Sequence, residues 1–151
     1  MTDSRDQIIK DDIEKLIDWA EKKNWTVGFY STYSAMRWWD KEIEICSRLS
    51  PETQLHDLLH ECGHLILHLN HAKYRERFPF SDMTEDLKNL RHRKSRRKSK
   101  RYKVDEIAEE IEAWEQGRKL AKRLNIQLNK EKFHKDMTEG VWSYIEAATE
   151  E

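Results

Sequence analysis

The sequence predicts a mainly helical α+β fold in one domain, residues 1–151, with a small antiparallel sheet packed against two helices that share a site. Three observations predict it. Apolar residues recur at helical spacing in several separate stretches, and one aromatic and β-branched segment between them alternates with polar residues. A chain of 151 residues with 37% hydrophobic content suits a single core.

Residues 6–23 carry Ile9, Ile13, Leu16, Ile17 and Ala20 on one face and Asp, Glu and Lys on the other, which makes an amphipathic first helix. Between residues 25 and 47 the texture changes. WTVGFY alternates Trp25, Val27 and Phe29, and KEIEICS sets Ile43 and Ile45 against Glu42 and Glu44, so two or three short antiparallel strands are expected, with a turn near Trp39-Asp40-Lys41. Ser50-Pro51-Glu52 then starts a helix: Ser caps, Pro suits the first helical position and Glu complements the positive dipole end. Leu55, Leu58, Leu59, Cys62, Ile66 and Leu69 give that helix a core-facing stripe to residue 69.

Residues 72–103 lack clean periodicity and read as a long loop, with a short helix near residues 85–90. Helical order returns over residues 104–124 through Ile107, Ala108, Ile111, Trp114, Leu120, Ala121 and Leu124. Asn129 caps a shorter helix through Phe133 and Met137, and Trp142, Tyr144 and Ile145 suggest a last amphipathic piece.

Charge is unevenly spread. The net charge is −1, yet residues 88–103, KNLRHRKSRRKSKRYK, hold ten of the 28 Lys/Arg and no acid, which leaves 18 bases against 29 acids elsewhere, a net of −11. Such a run is expected either to contact nucleic acid or another acidic partner, or to be solvated or folded back on the acidic body. No charged-then-apolar leader and no apolar run near 18 residues is visible, so a soluble, cytoplasmic chain with no membrane partner is expected, and its two cysteines, Cys46 and Cys62, are expected reduced.

Residues 56–71, HDLLHECGHLILHLNH, contain five of the seven histidines. Residues four apart share a helix face, so His60 and His64 aim two imidazoles at one point, half of a tetrahedral zinc site. Glu61 can reach a water in that site without being a ligand, which makes it the candidate general base. His56 and His68 continue the series, but helix curvature turns them away, and they read as solvated or hydrogen-bonded. Cys62 lies about 160° around the helix from either histidine and reads as core; Gly63 reads as a point of close packing.

A third histidine at metzincin spacing is absent, since Leu67 and Asn70 occupy the glycine and histidine positions of that pattern. The later run DEIAEEIEAWEQGRKLAKRL instead supplies Glu106, Glu109, Glu110, Glu112 and Glu115. HECGHLILH together with EIEAW resembles the ImmA/IrrE-type metallopeptidases, in which a His-Glu-x-Gly-His helix is followed by one bearing Glu-x-x-Ala-Asn/Asp. The resemblance spans about residues 43–121. It implies a zincin-like minimal domain in which His60, His64 and Glu110 hold Zn²⁺ and Glu61 is catalytic, and by family analogy a phage-like protein. Trp114 stands where the family has Asn or Asp, and Glu109 and Glu112 remain open as substitutes for Glu110.

The expected activity is peptide hydrolysis by metal-activated water, on a protein or peptide substrate. Tyr74, His92, Tyr102, His134 and Tyr144 are the candidates for stabilising the oxyanion. Residues 43–47 are the expected sheet edge for an extended substrate, with strand glutamates that bias the cleft toward basic or neutral sequences. Two rivals are a deformylase-like amide hydrolase with Cys46 as third ligand, and a nucleic-acid-binding or regulatory protein that uses residues 88–103 and whose metal is structural or absent.

Overall fold

The computed structural model describes residues 4–81 and 99–150. In order they form helix α1 (Ser4–Glu21), strands β1 (Thr26–Tyr30), β2 (Ala35–Arg37) and β3 (Glu42–Cys46), and helices α2 (Pro51–Leu69), α3 (His71–Arg77), α4 (Lys100–Arg123) and α5 (Lys130–Thr149). The architecture is α+β and mainly helical, with the three-stranded sheet on one side of the helices.

α2 has the predicted bounds, and its start has the predicted cause. Ser50 Oγ accepts from the Thr53 N–H at 3.3 Å, and Pro51 fills the first helical position, where its missing N–H costs nothing. Of its predicted stripe, Leu55, Leu58, Leu59 and Cys62 are buried, with Leu65, against Ile9, Ile13 and Leu16 of α1 and Ile43 and Ile45 of β3; Ile66 is only partly buried and Leu69, at the helix end, is exposed. Trp114, Leu120 and Ala121 of α4 and Phe133 and Val141 of α5 complete the core.

The sheet is mixed rather than antiparallel. Its order is β1-β3-β2, with β1 parallel to β3 (Val27 opposite Ile43) and β2 antiparallel to β3 (Met36 opposite Ile43). The chain leaves β1, passes to the far side of the sheet to form β2, and reverses into the central position through a tight turn that ends at Lys41, φ 52°. Alternation in the sequence reports which face a residue takes; it does not report which strand is its neighbour. One consequence is that β3, expected to be an edge, lies in the middle, and β2 is the free edge nearest the helices' site.

Three further boundaries differ from expectation. α3 occupies part of the stretch read as loop, capped by Asn70, whose Oδ1 accepts from the Lys73 N–H at 3.1 Å. α4 begins at Lys100 because Ser99 caps it, so the end of the basic run is helical. The two terminal pieces are one helix, α5, capped by Asn129 as predicted and continuous through Gly140. Most of the basic run, and the short helix expected near residues 85–90, lie outside the described residues. Cys46 and Cys62 are both free thiols, and no described helix is long and apolar enough to cross a membrane.

α2 and α4 meet backbone to backbone. A methyl group at Gly63 would stand 1.8 Å from the Ala113 carbonyl oxygen, and one at Gly117 would stand 2.5 Å from that of Leu59. Neither neighbour is a flexible side chain that can move aside. Gly63→Ala is therefore expected to destabilise the protein by about 3 kcal/mol or more, whereas Gly140→Ala, which meets only the Trp114 ring at 3.3 Å, should stay within about 1 kcal/mol; urea denaturation of the two variants measures the difference.

Candidate metal centre

The α2–α4 crossing decides what faces what. His60 lies three residues before Gly63 and His64 one after it, and Glu110 precedes Ala113 by about one turn, so all three point into the seam. His60 Nε2 lies 2.8 Å from Glu110 Oε2, His64 Nε2 lies 2.9 Å from Glu110 Oε1, and the two Nε2 atoms are 3.1 Å apart. The three residues form a group whose ligating atoms all lie within 4.8 Å of one another. Four-coordinate zinc with bonds of about 2.0–2.2 Å keeps its ligand atoms about 3.3 Å apart, close to these separations. The donor set, two imidazoles and one carboxylate, is that of a zinc site with an open position.

Both histidines of the group are held from behind. His64 donates from Nδ1 to Glu109 Oε2 at 2.7 Å, which leaves Nε2 as the ligating atom. Glu109 also takes the Tyr74 hydroxyl on Oε1 and lies 3.3 Å from His68 Nε2. His60 is fixed differently, by stacking on the Trp114 indole with centroids 4.4 Å apart and planes 6° apart. Trp114, at the position where an Asn or Asp was expected to support a histidine, supports it through its ring face.

The electrostatics favour a cation. Burial by itself would lower the His64 imidazole, but the Glu110 charge and the bonds to Glu109 and Glu110 hold it well above its ordinary value. His60 moves the same way: burial opposes, and the Glu61 charge and Glu110 hydrogen bond prevail. Glu110 is held well below the carboxylate range despite its burial by the His64 charge and the bonds from both histidines. Glu109, likewise against its burial, is held at about 2 by bonds from His64 and His68. Carboxylates that are ionised and buried between two helices require positive charge; protonated imidazoles supply it in the seam, and a divalent ion that displaced those protons would supply it in their place.

Glu61 is 7% exposed, with Oε1 3.3 Å from His60 Nδ1. Two cavities of about 460 and 390 Å³ flank the triad, and Ser34, Glu61, Glu110 and Tyr144 line both. Glu61 therefore sits on the wall of the space a substrate would enter. Among the oxyanion candidates, Tyr144 and Tyr102 line the first cavity, Tyr74 is buried and committed to Glu109, His134 lines a separate cavity at the α4–α5 end, and His92 lies outside the described residues.

The other glutamates of α4 are placed as follows. Glu112 bonds Arg77 at 3.0 Å and Glu115 bonds Arg118 at 2.7 Å, both at the surface, while Glu106 lines the first cavity. Cys46 is not in the ligating group; its N–H donates to Ser34 Oγ at 2.9 Å. Cys62 faces the core, where burial pushes its thiol well above the usual range. His56 is buried and donates from Nδ1 to Asp136 Oδ2 at 2.7 Å. From the sequence Glu109 reads as a solvated residue or a substitute ligand; its place behind His64 follows from helix rotation, which a run of five glutamates does not reveal.

Compared with known proteins, the chain matches no family model, no curated protein and no solved structure.

The arrangement predicts that Glu109→Gln, which leaves all three ligating side chains in place, weakens zinc affinity by about 10- to 100-fold. Competition with a chromophoric chelator measures it; unchanged affinity would show that the carboxylate does not support His64.

Proposed function

We propose that the protein is a zinc-dependent peptidase in which His60, His64 and Glu110 hold the metal and Glu61 is the general base. The observation that carries this reading is the convergence of two imidazoles and one carboxylate from two helices, with Glu61 beside them on the wall of a cleft. The ImmA/IrrE-type resemblance of HECGHLILH and EIEAW supports the same assignment.

A bound zinc ion would supply a Lewis acid that polarises a carbonyl and lowers the pKa of water toward about 7. Glu61 would then take a proton from the attacking water and return it to the leaving amine. Its burial at the cleft wall suits a base that has to be close to water yet shielded from bulk solvent.

Tyr144 is the best-placed donor for the developing oxyanion. It is half-buried with its hydroxyl bonded to Glu110, and burial, together with the charges of Glu110 and Glu61 and that bond, pushes the hydroxyl far above the ordinary phenol range; as a donor to an oxyanion it would turn from Glu110 to the substrate. It therefore keeps its proton at any working pH and stays a hydrogen-bond donor.

An extended peptide would lie along β2. Ala35 and Met36 of that strand line the first cavity beside the triad, and β2 is an edge of the sheet, so its outer backbone groups are available for pairing. This replaces the edge expected at residues 43–47, because β3 has strands on both sides.

Three outcomes are expected. The purified chain carries one equivalent of zinc by elemental analysis, and Glu110→Ala loses it. Glu61→Gln retains zinc but lowers peptide hydrolysis by about 10²- to 10⁴-fold; a Glu61→Gln protein as active as the parent rules out the proposed base. In steady-state kinetics Tyr144→Phe lowers kcat about 10²-fold with a smaller change in KM.

A further inference from the structure

The second cavity has a chemistry that the hydrolytic centre does not explain. It runs from the triad toward α5, with Leu49, Asp57, Trp114, Glu139 and Gly140 among its walls, and among the described residues no lysine or arginine lines it. Asp57 lies one helical turn before Glu61, so both carboxylates face the same side of α2.

The hydrogen bonds around Asp57 have a defined direction. The Cys46 N–H donates to Ser34 Oγ at 2.9 Å, and the Ser34 hydroxyl donates to Asp57 Oδ2 at 3.0 Å. Asp57 thus receives one neutral hydroxyl, and no lysine, arginine or histidine pairs with it among the described residues. Contrast Asp136 nearby, which has both His56 and Lys132 as partners. A partly desolvated carboxylate without a counter-charge is unfavourable unless something else supplies one. Burial, with the charges of Glu61 and Asp136, pushes its carboxyl above the ordinary range; the Ser34 hydrogen bond and the His60 imidazole offset that only in part.

The same cavity wall holds an unsatisfied donor. Trp114 is 2% exposed, and its indole Nε1 has no hydrogen-bond partner. That atom faces Gly140, where an added Cβ would stand 3.4 Å from it. The buried indole N–H thus stays unpaired beneath the cavity wall, while the Asp57 carboxylate, only part-buried, is the polar group that the cavity presents to an incoming chain. A lysine or arginine side chain is its complement.

We propose that this cavity is a substrate subsite in which Asp57 selects a lysine or arginine side chain close to the scissile bond, so that the substrates are cationic peptides or basic protein segments. The inference rests on the peptidase reading of the adjoining centre. It also relocates the expected source of basic preference: Glu42 and Glu44, read from the sequence as cleft acids, are engaged by Tyr30 and Arg37 on the sheet. Glu139, exposed at the rim of the cavity, adds to the potential that draws a cation inward.

The test uses internally quenched peptides in which a single arginine is moved through each position flanking the cleaved bond. Each is paired with the same peptide carrying citrulline, which has nearly the same shape and no charge. At one position the zinc-loaded protein should show a kcat/KM about 10- to 100-fold higher for arginine than for citrulline, the range for one charge-assisted hydrogen bond. In Asp57→Asn that ratio should fall to near one. Fluorescence anisotropy of the same pairs on zinc-loaded Glu61→Gln reads the subsite without catalysis, and arginine should bind more tightly there by a similar factor. If no peptide is cleaved while anisotropy still ranks arginine above citrulline, the peptidase reading falls and the subsite stands. Equal affinity for the two at every position, or a ratio that survives Asp57→Asn, overturns the subsite. The arginine-to-citrulline comparison on intact Asp57 keeps the test decisive even if Asp57→Asn does not fold.

Discussion

The close crossing of α2 and α4 is the constraint on which the rest of the molecule depends. At Gly63 and Gly117 the two helices touch through their backbones, with the Ala113 and Leu59 carbonyls where side chains would otherwise be. Two contacts about one turn apart on α2, at Leu59 and Gly63, set both the separation and the relative rotation of the helices. Once these are set, the residues that flank the glycines have no freedom to choose partners: His60 and His64 meet Glu110, His60 meets Trp114, and His64 meets Glu109. A larger side chain at either point would open the seam and carry the carboxylate away from the imidazoles.

So close a seam concentrates charge in a place that disfavours it. Glu61, His64 and Glu110 are all less than a tenth exposed, and Glu109 lies against them. Their burial opposes ionisation, and hydrogen bonds across the seam offset that cost one group at a time. The two histidines are supported in unlike ways, one by a carboxylate behind its Nδ1 and one by an indole against its ring face. Both devices hold ring orientation, which is what a ligating histidine needs. The third helix of the site is tied in by a separate buried contact, His56 to Asp136, and by Phe133 edge-on to Trp114; two turns further along α5, Tyr144 reaches the triad.

The sheet serves the site by presenting an edge and by feeding hydrogen bonds into it. β3 is the central strand and packs Ile43 and Ile45 into the core, so its backbone is unavailable to a substrate. β2 is short, outermost and next to the triad, with Tyr33 and Trp39 exposed at either end of it. Through Ser34, the segment before β2 orients Asp57 on α2. The cleft is therefore bounded by a strand edge on one side and by carboxylates on the other.

What the sequence determined by itself was local: where α2 begins and ends, that its face through Leu55, Leu58, Leu59 and Cys62 is buried, that His60 and His64 share a face, and that Gly63 marks a close approach. Each of these depends on residues a few positions apart, so capping chemistry and periodicity were enough to read them. Strand neighbours, the single length of α5 through Gly140, the division of labour between Glu109 and Glu110, and the use of Trp114 as a stacking support were decided only in three dimensions. Glutamates at 106, 109, 110, 112 and 115 are spread around a helix, and nothing in their spacing says which of them will face the histidines. That depends on how far α4 is rotated against α2, and the rotation is set by backbone contact at two glycines more than fifty residues apart in the chain.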